Sequence, residues 1–213
     1  MTRKVFWEDP YCAQLDVTIV KIEENDVSVD RTIFYPFSGG QERDHGTLGD
    51  KNVLEVNKVG KDLVYKLENV SNLRVGEVIP MKIDWKRRYL LMRYHFAAEL
   101  VLETAYRTIP SLEKIGAHIA ADKARIDFLW KENLAPQLPV IEGQVNQMIA
   151  EDREIISAYS DEETERRYWE VPGFARVACG GTHLRRTGEV GGIALRRDNI
   201  GRGKERVEIR LRN

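Results

Sequence analysis

The hydrophobic period of the chain changes at Asp84, and that change limits the folds open to it. Before it, short runs alternate: Gln14 to Val20, Asp26 to Asp30, Asp62 to Glu68 and Glu77 to Asp84, punctuated by glycine and asparagine turns. A period of two puts one face of each strand in a core, so the first half reads as a small all-β barrel or sandwich. Asp84 can serve as a helix N-cap, and a helical pattern follows it to about Tyr106. A second helical pattern spans Pro139 to Tyr159, with Ile141, Val145, Met148, Ile149, Asp152 and Ile156 in step. Strands then return over Phe174 to Ala178, Val190 to Arg196 and Glu205 to Leu211. The expected class is α+β, divided into residues 1–84 and 85–213.

At 213 residues the chain can hold one large or two small domains with an adequate core. Its 33 Lys and Arg against 34 Asp and Glu leave a net charge of -1, so no global field advertises a nucleic-acid partner. Two cysteines, Cys12 and Cys179, are too few for a disulfide framework and fit a reducing, cytoplasmic setting. No run reaches the length of a membrane span, and the charged start (Arg3, Lys4, Glu8, Asp9) has no apolar signal region. Phosphate-loop and dinucleotide fingerprints are missing, which excludes those nucleotide-binding classes.

The chemistry concentrates in Cys179-Gly180-Gly181-Thr182-His183. A thiol and an imidazole separated by two flexible glycines can turn onto one zinc ion. The competing reading is a small buried hydrophobe beside a hydrogen-bonded loop histidine. Upstream, His95 and Glu99 stand four residues apart on one helix face, with Leu91, Ala98 and Leu102 around them. A carboxylate on that apolar stripe needs a cation partner, either an arginine or a metal. The two pairs together would supply N, O and S ligands that zinc accepts.

The stretch from Arg185 to Arg212 carries nine Arg and Lys against four acids. That local excess beside the cysteine loop suits a nucleic-acid end, or simply a solvated hairpin face with Val207, Ile209 and Leu211 turned inward. Ser38-Gly39-Gly40-Gln41 is a strand-to-strand turn, or a segment whose backbone comes close to a ligand.

These segments together resemble the editing domain of alanyl-tRNA synthetase and its free-standing AlaX relatives. Phe34-Tyr35-Pro36-Phe37-Ser38-Gly39-Gly40-Gln41 with Asp44-His45-Gly46 is similar to the family's F-Y-P-x-x-G-G-Q-x-x-D-x-G signature. Asp84-Trp85-Lys86-Arg87-Arg88 resembles its D-x-x-R-R helix entry. Gly116-Ala117-His118-Ile119 through Arg125-Ile126-Asp127-Phe128 resembles its G-S…R-x-D-F segment. Gly188 to Gly191 and Gly203 to Glu208 resemble its two closing strands, and Cys179 to His183 its second ligand pair. The first pair departs from the family's H-T-A-T-H, reading His95-Phe96-Ala97-Ala98-Glu99, so both threonine hydroxyls and one imidazole are replaced.

The resemblance implies an N-terminal β-barrel (1–84) and an α+β editing domain with an antiparallel sheet (85–213). It implies one zinc, held by His95, Glu99, Cys179 and His183, with Glu99 as an alternative general base and Thr182 as a catalytic group. It implies contacts to substrate or tRNA from Gly39, Gly40, Gln41, Arg202, Lys204 and Arg206. The implied activity is hydrolysis of mischarged alanine tRNA in trans, chiefly Ser-tRNA(Ala) and also Gly-tRNA(Ala), since the chain is too short to hold an aminoacylation domain as well. The competing functions are RNA-end binding around a structural metal, and metal-dependent hydrolysis of another small ester.

Overall fold

The computed structural model describes residues 1–201 and 203–212. Two compact units emerge, one of Met1–Ser38 with Glu42–Tyr89, the other of Gly39–Gln41 with the chain from Leu90 onward.

The first unit holds β1 (Arg3–Lys4), α1 (Val5–Glu8), β2 (Gln14–Glu23), β3 (Asp26–Val29), β4 (Arg31–Thr32), β5 (Gly46–Leu48), β6 (Lys51–Val59), β7 (Asp62–Leu67) and β8 (Val78–Ile83). Six strands pair antiparallel in the cyclic order β2-β3-β7-β6-β5-β8, returning to β2. Alternation works as the sequence suggests: Val27 and Val29, Leu63, Tyr65 and Leu67, and Ile79, Met81 and Ile83 all turn into one core. β6 was not legible in the sequence. Its register shifts between Val53 and Glu55, so its buried residues Val53 and Val56 stand three apart.

The chain crosses between units inside α2 (Trp85–Thr108). Asp84 caps this helix as its sequence predicts, its Oδ1 accepting the Arg87 N–H at 3.1 Å. Just beyond the cap, the signature residues of the first half meet. Arg88 and Asp44, both 0% exposed, form an ion pair, with Arg88 Nε 3.0 Å from Asp44 Oδ1. Arg88 also donates to the carbonyls of Pro10 at 2.9 Å and Ile33 at 2.5 Å, and Asp44 accepts the Tyr35 N–H at 2.7 Å. Arg87 Nη2 reaches Glu42 Oε2 at 2.6 Å.

The second unit carries β9 (Glu113–Ile119), β10 (Ala124–Leu129), α3 (Leu138–Ala150), β11 (Ile156–Asp161), β12 (Arg166–Val171), β13 (Ala175–Ala178), β14 (Ile193–Gly201) and β15 (Lys204–Leu211). These make two antiparallel sheets, β14-β15-β10-β9 and β11-β12-β13. The α+β class and antiparallel pairing are as expected. α3 covers the edge of β14: Asn146 exchanges two hydrogen bonds with Ile193, at 2.8 and 3.0 Å, and Glu142 accepts the Leu195 N–H at 2.7 Å.

The second helix is shorter than its period predicts. It buries Ile141, Val145 and Ile149, then stops at Ala150. Asp152 takes φ +47, and its carboxylate accepts the Gly188 N–H at 3.1 Å and meets Arg186 Nε at 2.7 Å. Ile156, which the helical period would bury, instead begins β11 and is 36% exposed. The reversal wins because Asp152 gains partners distant in sequence, Gly188 and Arg186, that a continued helix would deny it. The 190s also differ: Thr187–Val190 is a 3₁₀ turn, and the strand starts at Ile193 after Gly191 at φ +72. Among the described residues, no helix is long and apolar enough to cross a membrane.

Candidate metal centre

α2 is apolar nearly all round where it enters the second unit. Leu91, Met92, Phe96, Ala97 and Leu100 are each 0% exposed. His95, 5% exposed, is thus carried into a core by its neighbours, and Glu99 follows one turn later. The opposite ligands come from the loop after β13. The Cys179 N–H donates to the Arg167 carbonyl at 2.9 Å, continuing the β12–β13 ladder up to the thiol. Two glycines then release the chain. A Cβ on Gly181 would lie 2.5 Å from the His95 ring, so only glycine lets this loop pass the imidazole.

The result is a cluster in which one ligand atom each from His95, Cys179 and His183 lie within 4.8 Å of one another. His95 Nε2 stands 3.3 Å from Cys179 Sγ, and the two imidazole centroids are 5.2 Å apart. Zinc bonds of about 2.0–2.3 Å place tetrahedral ligand atoms roughly 3.3–3.8 Å apart, so the spacing suits that ion. Glu99 Oε1 sits beside the cluster, 3.4 Å from Cys179 Sγ and 3.5 Å from His95 Nε2. The carboxylate's neighbours are these two ligand candidates, which makes it either a fourth donor or a proton acceptor next to them.

The protonation pattern follows from burial. Desolvation pushes the Cys179 thiol well above its ordinary value, the Glu99 carboxylate adding to it, so without a cation the sulfur keeps its proton and donates a hydrogen bond to Glu99. Desolvation lowers His95, outweighing the pull of Glu99. It lowers His183 further, with help from His95 and from Arg167. Two neutral imidazoles and a thiol whose proton a cation can displace form a donor set fitted to zinc. The fit is supported by an orphaned polar atom: among the described residues, the buried His183 Nε2 has no hydrogen-bond partner.

Several groups around the cluster were not visible in the sequence. Ser157 on β11 places its Oγ 2.9 Å from His183 Nδ1. Phe96 lies edge-on to Trp169 at 5.2 Å and to His183 at 6.0 Å, so this residue packs the core. Arg167, 6% exposed, stacks its guanidinium 4.6 Å from the Tyr159 ring. Only the non-local pairing of β11 with β12, Ser157 opposite Trp169 and Tyr159 opposite Arg167, gathers them.

The glycine-rich segment Gly39–Gln41 belongs to the second unit. The Gly40 carbonyl accepts the Ile119 N–H at 2.8 Å, and Gly40 has φ +85 with Ala117 O only 2.5 Å from where a Cβ would be. Gln41, fully buried, donates its amide to Thr182 Oγ1 at 3.4 Å, and among the described residues its Oε1 has no hydrogen-bond partner. Gln41 and Thr182 therefore stand next to His183. The basic residues are more dispersed in role. Arg206 holds Asp127, directly across the β10–β15 ladder, with Nε–Oδ1 at 2.6 Å, while Lys204 is exposed. Arg202 lies outside the described residues.

Two family models match the chain. The model described as tRNA synthetases class II (A) covers residues 10–87, and the threonyl and alanyl tRNA synthetase second additional domain covers residues 170–208. The chain is 34% identical over 215 residues to the alanyl-tRNA editing protein AlaX-M of Pyrococcus horikoshii, spanning 99% of this chain and 98% of that protein. It is 31% identical to the AlaX-M protein of Methanosarcina barkeri, over 99% of both chains. The alanine–tRNA ligase of Ignicoccus hospitalis is 35% identical over 91% of this chain, which covers 24% of that longer enzyme. Similarity of this extent, end to end, shows that the chain belongs to the alanyl-tRNA editing protein AlaX-M family.

Proposed function

We propose that the chain hydrolyses the ester joining a wrong amino acid to alanine tRNA, acting chiefly on Ser-tRNA(Ala) and to a lesser degree on Gly-tRNA(Ala). The observation that carries this reading is the convergence of His95, Cys179 and His183, with His183 Nε2 left unbonded, in a member of a family whose relatives are named for alanyl-tRNA editing. When bound, zinc would polarise the ester carbonyl and make water a better nucleophile. His95, Cys179 and His183 hold the ion, and Glu99 either completes the set or takes a proton beside it. Gln41 and Thr182 orient the aminoacyl group from the adjoining wall, and Gly39 and Gly40 give that wall its close approach. Lys204, with Arg202, meets the tRNA backbone, and Arg206, held by Asp127, braces the strand that carries Lys204.

The assignment of residues 1–84 to a β-barrel domain and 85–213 to the editing domain belongs to the same reading, and the cyclic strand order of the first unit supports it. So does a cytoplasmic setting, where charged tRNA is found. The decisive test is release of labelled serine, glycine and alanine from alanine tRNA, with and without a chelator. Serine should leave fastest, alanine slowest, and the chelator should abolish the difference. Equal rates for serine and alanine, or none above a heat-killed control, refute the reading. RNA binding without turnover would favour a structural metal instead.

A further inference from the structure

We infer that Ser157 is a positioning residue of the candidate metal centre, fixing the His183 ring with its proton on Nδ1 so that Nε2 is the nitrogen offered to the ion. The inference rests on the metal-dependent reading above and deepens it.

The geometry begins with the hydrogen bond from the ring to the strand, Ser157 Oγ to His183 Nδ1 at 2.9 Å. A neutral imidazole carries one ring proton, and the nitrogen that bears it is set by what the other atoms can accept. On Nδ1 the proton has the Ser157 oxygen as acceptor. On Nε2 it would be a buried donor with no partner, because that atom has none among the described residues. Ser157 is itself exposed, so its hydroxyl hydrogen can turn to solvent and leave an oxygen lone pair for the ring.

The ring plane is fixed separately. Ser157 lies across the β11–β12 ladder from Trp169, which is 0% exposed and packs edge-on against Phe96 at 5.2 Å. Phe96 in turn meets His183 at 6.0 Å. Aromatic packing thus sets where the ring lies, and Ser157 decides which nitrogen keeps the proton. Outer hydrogen-bond partners of this kind orient metal-binding histidines and raise their basicity.

The test compares wild type, Ser157→Ala and Ser157→Asp by two measurements. Zinc affinity is read by competition with a chromogenic chelator, and the His183 tautomer in the metal-free protein by long-range nitrogen–proton correlation spectra. Wild type should show the Nδ1–H form. Ser157→Ala should lose about 10–100-fold in zinc affinity, the range found when such partners are removed. Ser157→Asp should match or exceed wild type, since a carboxylate can only accept. An alanine variant within about twofold of wild type, or a wild-type ring protonated on Nε2, overturns the inference. If wild type binds no zinc, the metal reading falls, and the tautomer spectra of wild type and alanine variant decide the role of Ser157 on their own.

Discussion

Around Asp44 each nitrogen of the Arg88 guanidinium has an acceptor, whereas around His183 a buried ring nitrogen has no partner among the described residues. Both clusters are polar, both are nearly inaccessible, and both draw on α2. The first sits in the strand unit, the second in the α+β unit. Their difference separates two uses of buried polarity. The Arg88–Asp44 group is satisfied by its own fold: two carbonyls and the carboxylate accept from all three guanidinium nitrogens, and the carboxylate also accepts a backbone amide, so it is complete without any ligand. The His95–Cys179–His183 group is not: among the described residues a buried ring nitrogen of each histidine, His95 Nδ1 and His183 Nε2, has no partner, and the three ligand atoms gather where a cation could sit. Both clusters contain residues quoted in the family resemblance, yet only one of them leaves buried ring nitrogens unbonded among the described residues.

The comparison breaks most visibly at Cys179. Replacing it by alanine should remove most zinc from the protein, because the thiolate is the softest donor. The loss should exceed the roughly 10–100-fold expected when an outer partner goes. Elemental analysis of wild type should find about one zinc per chain, and the urea midpoint of the metal-free forms should barely differ. If metal-free Cys179→Ala is as crippled as a core cavity mutant, the thiol is structural and the contrast fails.

Arg88→Met should do the reverse. It strands a buried carboxylate, at about 3–5 kcal/mol in unfolding free energy. The folded fraction should still bind zinc stoichiometrically. A cost below about 1 kcal/mol would show that Asp44 finds water or another cation, and the cluster would not be satisfied by its own fold.

A smaller effect sharpens the same rule on the surface of the β14-β15-β10-β9 sheet. Arg206 is engaged by Asp127, whose carboxyl burial would raise but whose hydrogen bonds from Arg206 and Arg125 hold below the ordinary value. Lys204, two residues away, is exposed. Lys204→Ala should therefore lower the salt dependence of tRNA binding by about one unit of slope while leaving stability within about 0.5 kcal/mol. Arg206→Ala should act mainly on stability, and most at neutral pH. The depressed Asp127 value adds stability that is present above the unfolded carboxyl's range, about pH 4, and disappears as pH falls through the folded value. Equal salt slopes for wild type and Lys204→Ala would leave that lysine as a solvated side chain.

Much of the fold was written locally. The strands β2, β3, β7, β8 and β15 follow their alternation, and α2 begins where Asp84 caps it. What failed was whatever depended on a break in period: the shifted register of β6, and the end of α3 at a residue of positive φ whose partners, Gly188 and Arg186, lie more than thirty positions on. A period shows which face a residue takes only while the element continues. It carries no information about the hydrogen bonds that end it.

The same division holds at the metal centre. By itself the sequence determined the donor types and two local arrangements, His95 with Glu99 on one helix face and Cys179 with His183 across two glycines, because spacing along a helix or a short loop is local geometry. Tertiary structure alone decided that the two pairs meet, that Glu99 lies against the thiol rather than beside an arginine, and that Ser157 and Gln41 stand next to the cysteine–histidine loop. Those neighbours are separated by 26 to 141 positions in the chain. Their meeting is set by strand pairing, helix packing and the glycine contacts that let backbones touch, and no local pattern encodes such distances.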